Sequence, residues 1–250
     1  MKFLVFVASG SVLALAGLMS PVLAADMPEY PIIETPEPLP LPSAGGWYLR
    51  GDIGYKAYSD PNADFDETGY EPFWGESLDD TAVIGAGVGY QFNNHLRMDA
   101  TLDYEFKSTF EGNLNCRAPC VGGGAGFSEE AADIDAWSGL INAYVDIGTW
   151  YGFTPYVGAG IGASYLTTSN VRTVSAPTAE YDGDGTWNFA WALMAGTSFK
   201  MTENLLLDIN YRYMNLGDAK SDTIPTFTAP LEYNDIEAHE VRVGLRYNLF

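Results

Sequence analysis

From residue 96 to residue 106 the chain alternates without a break. Leu96, Met98, Ala100, Leu102, Tyr104 and Phe106 are apolar, and Arg97, Asp99, Thr101, Asp103 and Glu105 between them are polar or charged. A period of two marks a β-strand whose two faces meet different surroundings. Seven further segments carry the same alternation, at 47–58, 82–92, 137–147, 155–165, 187–199, 205–213 and 238–250. Each is about as long as a tilted strand needs to cross a bilayer. Pro155 opens its segment, a position where a strand accepts proline.

Which face is which decides the class. The apolar faces carry no charge, and the strand middles read Ile53, Ala86, Leu102, Ile141, Ala159, Leu193, Ile209 and Val243. The opposite faces collect Arg50, Asp52, Lys56, Arg97, Asp99, Asp103, Glu105, Asp146, Lys200, Asp208, Arg212, Glu240, Arg242 and Arg246, with Lys107 at the end of its strand. A lipocalin-like soluble barrel needs the reverse, an apolar interior and a polar exterior. A polar interior with a lipid-facing exterior is the pattern of a transmembrane barrel.

The connections sort themselves as the residues do. Those at 93–95, 148–153 and 202–204 are short, and those at about 59–81, 108–134, 166–186 and 215–237 are long. Short turns on one side and long loops on the other are the periplasmic and extracellular sides of an outer-membrane barrel. Aromatic residues fall near both rims. Tyr104, Phe106, Trp137, Tyr165, Trp187, Phe189, Tyr211 and Tyr213 lie at the long-loop side, and Trp47, Tyr90, Phe92, Phe199 and Tyr247 at the other. Two belts of amphipathic rings suit two bilayer interfaces. The expected fold is all-β: an eight-stranded antiparallel up-and-down transmembrane barrel.

The segments before the barrel have their own chemistry. Lys2, an apolar run over 3–18 and a small-residue site ending at Ala24 read as a signal peptide over 1–24. Residues 25–43 hold Pro28, Pro31, Pro36, Pro38, Pro40 and Pro42 among the acids Asp26, Glu29, Glu34 and Glu37. Proline at this density makes an extended, semi-rigid periplasmic linker. The barrel domain is expected over 44–250.

Charge and candidate chemistry narrow the function by exclusion. The formal charge is −21 at pH 7. A chain this acidic lacks the basic footprint that nucleic acid requires. Outer-membrane lipid and lipopolysaccharide are the expected partners. The first long loop crowds Asp60, Asp64, Asp66, Glu67, Glu71, Glu76, Asp79 and Asp80 together. It reads as a solvated, self-repelling loop; bridging by divalent cations to lipopolysaccharide, or a surface through which the loops act as receptor or adhesin, is the sharper alternative.

An eight-stranded barrel is only wide enough for its own side chains to fill. The inward charges are therefore expected to pair as a packed network, with a narrow porin-like path as the alternative. Gly85, Gly87, Gly89, Gly158, Gly160 and Gly162 share that face and leave room for long Arg and Lys side chains. No enzyme is expected: His239 should face outward, and Ser138 and Ser164 have no histidine partner placed for them. No cofactor and no metal site are expected. Cys116 and Cys120, in an exported chain, read as a small disulfide loop; His95 and His239 are too far along the chain to make the pair a metal site.

At this point a family can be recognised. The proline-rich acidic start, the run Gly46-Trp47-Tyr48-Leu49-Arg50-Gly51-Asp52-Ile53-Gly54-Tyr55 and the end from Glu240 to Phe250 resemble the small outer-membrane proteins of alphaproteobacteria. This is the 25/31-kDa porin-like surface-antigen group. The resemblance implies an outer-membrane barrel supporting envelope integrity, with host-molecule or haem binding in some members; the loops here lack the histidines that haem would need. It implies insertion by the barrel-assembly machinery through a C-terminal signal, here Tyr247 and Phe250, although the family's aromatic usually stands two residues before the final Phe and here stands three before it. It also implies a use for Ala25, exposed with Asp26 by leader cleavage: its α-amine would attach to peptidoglycan, with an ordinary tail as the alternative.

Overall fold

The computed structural model describes residues 45–67, 69–117, 126–174, 180–181, 183–222 and 229–249. The leader, the linker with Ala25, Cys120 and Phe250 lie outside the described residues.

Eight long strands run antiparallel in chain order: β1 (Gly46–Tyr58), β2 (Thr81–Gln91), β3 (Leu96–Cys116), β4 (Gly126–Asp146), β5 (Phe153–Thr173), β6 (Gly185–Lys200), β7 (Leu205–Asn215) and β8 (Glu237–Asn248). Each pairs with its neighbours in sequence. β1 also pairs with β8, Ile53 opposite Val243 and Lys56 opposite Glu240, so the sheet closes on itself. Closure removes the free edges that a membrane cannot hydrate. The register keeps like faces together. Outward Leu102 sits between Ala86 and Gly139, and inward Asp99 sits between Gly89 and Asn142. Along the outer surface Ile53, Leu102, Ile141, Leu193, Ile209 and Val243 are exposed, as lipid-facing residues must be.

The strands β3, β4 and β5 are each 21 residues long, far beyond the expected segments. Much of the connections expected at 108–134 and 166–186 is therefore sheet. The physical reason lies at residues 106–107. The β3–β4 register shifts between Glu105 and Ser108. One extra residue exchanges the two faces, because side chains alternate with a period of two. Up to Glu105 the inward positions are odd, and all but Thr101 are charged. From Ser108 they are even, and Phe110 and Leu114 are buried while Glu111 and Arg117 face out.

Above the membrane the wall thus becomes an ordinary half-buried sheet, apolar inside and polar outside. Trp74–Leu78 adds to the β3 edge, and Glu180–Tyr181 adds to β5. A second sheet of three short strands, Ala219–Lys220, Glu232–Asn234 and Asn62–Asp64, lies off the barrel. Phe65, Phe73, Phe110, Leu114, Met214, Leu216, Leu231, Tyr233 and Ile236 are buried in one apolar cluster at this end. The Phe110 and Tyr233 rings meet edge to face, 4.6 Å between centroids.

The first long loop is accordingly a corrected expectation. Its acids Asp60, Asp64, Asp66, Asp79 and Asp80 are exposed, but Ala63, Phe65, Phe73 and Leu78 are buried. The apolar residues hold the loop down while the charges stay in water.

Candidate functional site

Each inward charge in the lower barrel is placed by strand parity, and the register then decides its partner. Arg50 and Asp52 share one face of β1, two residues apart. Arg50 donates to Asp52 at 3.0 Å and to Asp99 on β3 at 3.2 Å. Arg242 reaches from β8 to Asp52 and to Asp103, 2.8 Å from each, and contacts Glu240 on its own strand. Arg212 on β7 donates to the other Asp103 oxygen at 2.8 Å. Lys56 lies 2.6 Å from Glu105 and 2.8 Å from Glu240. Arg97 pairs with Asp146 at 3.2 Å. Asp208 accepts hydrogen bonds from Ser198 at 2.9 Å and from the Tyr156 hydroxyl, and Arg246 donates to the Ser198 hydroxyl at 3.0 Å.

Thirteen of the fourteen expected inward charges meet here. The basic side chains Arg50, Lys56, Arg97, Arg212, Arg242 and Arg246 face the acids Asp52, Asp99, Asp103, Glu105, Asp146, Asp208 and Glu240, and all are buried. The lumen is within one charge of neutral, so it presents no strong field to select an ion. A lone buried ion costs several kcal/mol, and pairing with good hydrogen bonds is what makes burial tolerable.

Two expected positions lie elsewhere. Lys200 keeps the inward parity but stands at the last residue of β6, exposed at the barrel mouth, and pairs with Glu203 in the short turn at 3.0 Å. Lys107 falls in the β3 irregularity, is exposed, and donates to Ser169 at 3.2 Å. Strict alternation fails at Lys107, where the strand slips, and at Lys200 the lumen simply ends.

The network recruits aromatic residues that charge alone did not single out. The Tyr48 hydroxyl donates to Asp99 at 3.0 Å, and the Tyr144 hydroxyl lies 2.9 Å from an Arg50 nitrogen. The Arg97 guanidinium stacks over the Tyr144 and Tyr156 rings, 4.0 and 4.4 Å from their centroids. All three tyrosines occupy the inward parity, which is the signal that finds them. The inner glycines serve this packing in two ways. A Cβ on Gly85 would run into the Asp103 carboxylate, and a Cβ on Gly89 would run into the Tyr48 ring. The room goes to rings and carboxylates as well as to long cations. The void among Arg50, Asp52, Arg97, Asp208 and Arg246 is too narrow to seat a water molecule.

His239 is exposed on the outer face, where its ring stacks on Tyr211 and its Nδ1 lies 2.6 Å from the Tyr211 hydroxyl. Ser164 donates to the Leu216 carbonyl. Among the described residues no group of His, Cys, Asp and Glu is arranged to hold a metal ion. Cys116 ends β3, and no free cysteine is found among the described residues.

A closed antiparallel ring, lipid-facing outside and charged inside, with short turns at one end, defines a transmembrane β-barrel of the outer membrane. The comparisons agree. The outer membrane protein beta-barrel domain model matches residues 11–248, and the chain belongs to that family. An uncharacterised protein of Brucella abortus strain 2308 is 37% identical over 93% of this chain and 95% of its own length. A Rickettsia bellii protein, named as a candidate adhesin, is 27% identical over 81% of this chain and 88% of its own. Among solved structures, the Pseudomonas aeruginosa outer membrane protein OprG aligns with a TM-score of 0.51 at 17% identity, covering 82% of this chain and 96% of its own. The protein is a Gram-negative outer-membrane barrel.

Proposed function

We propose that this barrel acts as a sealed structural element of the outer membrane and holds an ordered acidic platform at the cell surface. One observation carries the reading: the lumen is filled by interlocked charges, Asp208 and Arg246 joined through Ser198 and the rest in direct ion pairs, and above them lies a buried apolar cluster. A conducting pore needs a continuous wet path, and both the packed charges and the apolar layer work against one. Planar-bilayer recording of the refolded protein tests this. Only sporadic current is expected, and steady ohmic steps would overturn the sealed reading in favour of a narrow diffusion channel.

The supporting role in the envelope follows from what such a barrel brings. It joins lipid and lipopolysaccharide outside, and its proline-rich start would reach into the periplasm. Attachment of Ala25 to peptidoglycan would make it a rivet between the two layers. Digested sacculi should then yield a muropeptide carrying Ala25, and its absence would reduce the segment to an ordinary tail. Cys116, at the end of β3, and Cys120 would close a disulfide loop between β3 and β4 and stiffen that connection.

A second reading, a surface receptor or adhesin, is favoured by one feature. The β3, β4 and β5 strands continue well past the membrane as sheet. A stiff platform costs a partner less ordering entropy than loose loops would.

A further inference from the structure

The outer wall of the lower barrel is apolar because lipid covers it. The outer wall of the extracellular extension has no such cover, and most of it is polar. Three residues there break the rule. Trp74 is 49% exposed, Phe127 56% and Val174 46%. They are neighbours. Trp74 lies opposite Asn113, which in turn lies opposite Glu129. Phe127 is two residues from Glu129 on the same face of β4, and its ring lies 6.0 Å from that of Trp74. The Val174 amide donates to the Glu129 carbonyl. The three apolar side chains therefore surround one exposed carboxylate.

Lipid cannot reach this patch. Phe127 lies ten residues beyond Trp137, which sits at the aromatic rim. At about 3.3 Å per residue this is about 33 Å of strand, or about 25 Å of height at a tilt near 40°. The inner face of the same strands is satisfied by the apolar cluster, so the patch is not spare core. Nor does the Trp74–Leu78 edge explain it by strand addition. That strand is kinked by Gly75 at a φ of 66° and by a register shift between Trp74 and Ser77, which blunts an edge.

We propose that this face docks a basic protein segment, one that presents Arg or Lys beside aliphatic or aromatic side chains. The charge pattern selects that occupant. Glu111 and Glu129 face out beside the rings, with Asp133 and Asp135 lower on the same wall. Nearby cations are already engaged, Arg117 with Glu71 and Arg172 with Asp133 at 3.6 Å. No salt bridge reaches Glu129 or Glu111 among the described residues. An exposed indole and phenyl ring flanking a free carboxylate suit a guanidinium or ammonium with an apolar stem, through the ring faces and the charge together. The inference rests on the surface-platform part of the function proposed above.

The test uses the full chain in nanodiscs of zwitterionic lipid. Three labelled decapeptides serve as probes: alternating Arg and Trp, alternating Glu and Trp, and alternating Arg and Gly. Fluorescence anisotropy should show saturable binding of the Arg–Trp peptide, at least tenfold weaker binding of the Arg–Gly peptide, and none of the Glu–Trp peptide. The Trp74→Ala/Phe127→Ala variant should lose at least tenfold in affinity, Glu129→Gln about threefold, and Asp184→Asn, off the patch, nothing. Heat-modifiable migration of every variant reports the folded barrel. Equal binding of the Arg–Gly peptide, or unchanged affinity in the aromatic double variant, would overturn the inference. So would patch-dependent self-association, which would assign the face to a second copy of this chain. Protease shaving of whole cells tests the platform separately: a cleavable tip that binds no peptide refutes the docking alone.

Discussion

Replacing Lys56 by Met separates a dry, paired lumen from a hydrated one. Lys56 contacts Glu105 at 2.6 Å and Glu240 at 2.8 Å, and all three side chains are fully buried. Without the ammonium, Glu240 still has Arg242, and Arg212 at 4.0 Å. Glu105 is left with the Tyr58 hydroxyl at 3.0 Å as its remaining partner among the described residues. Stranding one member of a buried pair costs about 3–5 kcal/mol. Since Glu105 loses its cation altogether, the expected loss is about 4 kcal/mol, a change of nearly a thousandfold in the unfolding constant.

Arg242→Met should cost less, although Arg242 makes more contacts. Each of its three acids keeps a second cation: Arg50 for Asp52, Arg212 for Asp103 and Lys56 for Glu240. About 2–3 kcal/mol is expected, below the range for a fully stranded partner. The pair Lys56→Met/Glu105→Gln should recover most of the single variant's loss, because it removes the stranded charge with its partner. Urea unfolding in lipid vesicles, followed by tryptophan fluorescence, measures all three. A Lys56→Met loss under about 1 kcal/mol, the range of solvated pairs, would refute the dry lumen. A double variant as unstable as the single would refute the assignment of the loss to Glu105.

Gly85→Ala should destabilise by about 1–3 kcal/mol, as overpacking does, because its Cβ meets the Asp103 carboxylate and lies 3.1 Å from both Asp52 and Arg242; the same urea titration reads it. Glu130 lies in the extracellular extension, where burial pushes its carboxyl above the ordinary range despite hydrogen bonds from Ser128 and Thr173. A raised carboxyl favours the folded tip in its protonated form. That stabilisation is complete below the unfolded-chain pKa and fades as pH rises through the raised folded value. Hydrogen exchange at the tips of β3 and β4 should therefore speed up with pH beyond its intrinsic trend, and Glu130→Gln should abolish the excess. Intact protein should show no maleimide-reactive thiol before reduction; a labelled Cys116 would exclude its pairing with Cys120.

How much of this was legible in the chain depends on which rule each residue obeys. Between the two membrane rims a single rule holds, charge inside and apolar outside. Arg97, Asp99, Asp103 and Glu105 could be placed from parity, and so could the closure of β1 on β8. What parity could not supply was pairing. Asp52 lies between Arg50 and Arg242 because of the β1–β8 register, which sequence periodicity does not encode. The part that Tyr48, Tyr144 and Tyr156 play in the network was hidden for another reason. An amphipathic ring suits a lipid interface as well as a polar lumen, so its parity rather than its chemistry identifies it.

The extracellular sheet was missed because there the rule changes sign. Past Glu105 the solvent outside the wall is water rather than lipid, and the inside must supply the apolar phase. The same alternation would put every residue on the wrong side. One irregularity between Glu105 and Ser108 corrects this by moving Phe110 and Leu114 inward and Glu111 outward. Read as one continuous pattern, residues 96–116 lose their period at 106–107 and become loop. Read as two patterns in antiphase, they are one strand that passes from a membrane into a water-soluble cap. The first loop obeys the second pattern too, with Ala63 and Phe65 buried and Asp64 and Asp66 exposed. A phase slip in an alternating segment at an aromatic rim therefore marks where a barrel strand leaves the bilayer, not where it ends.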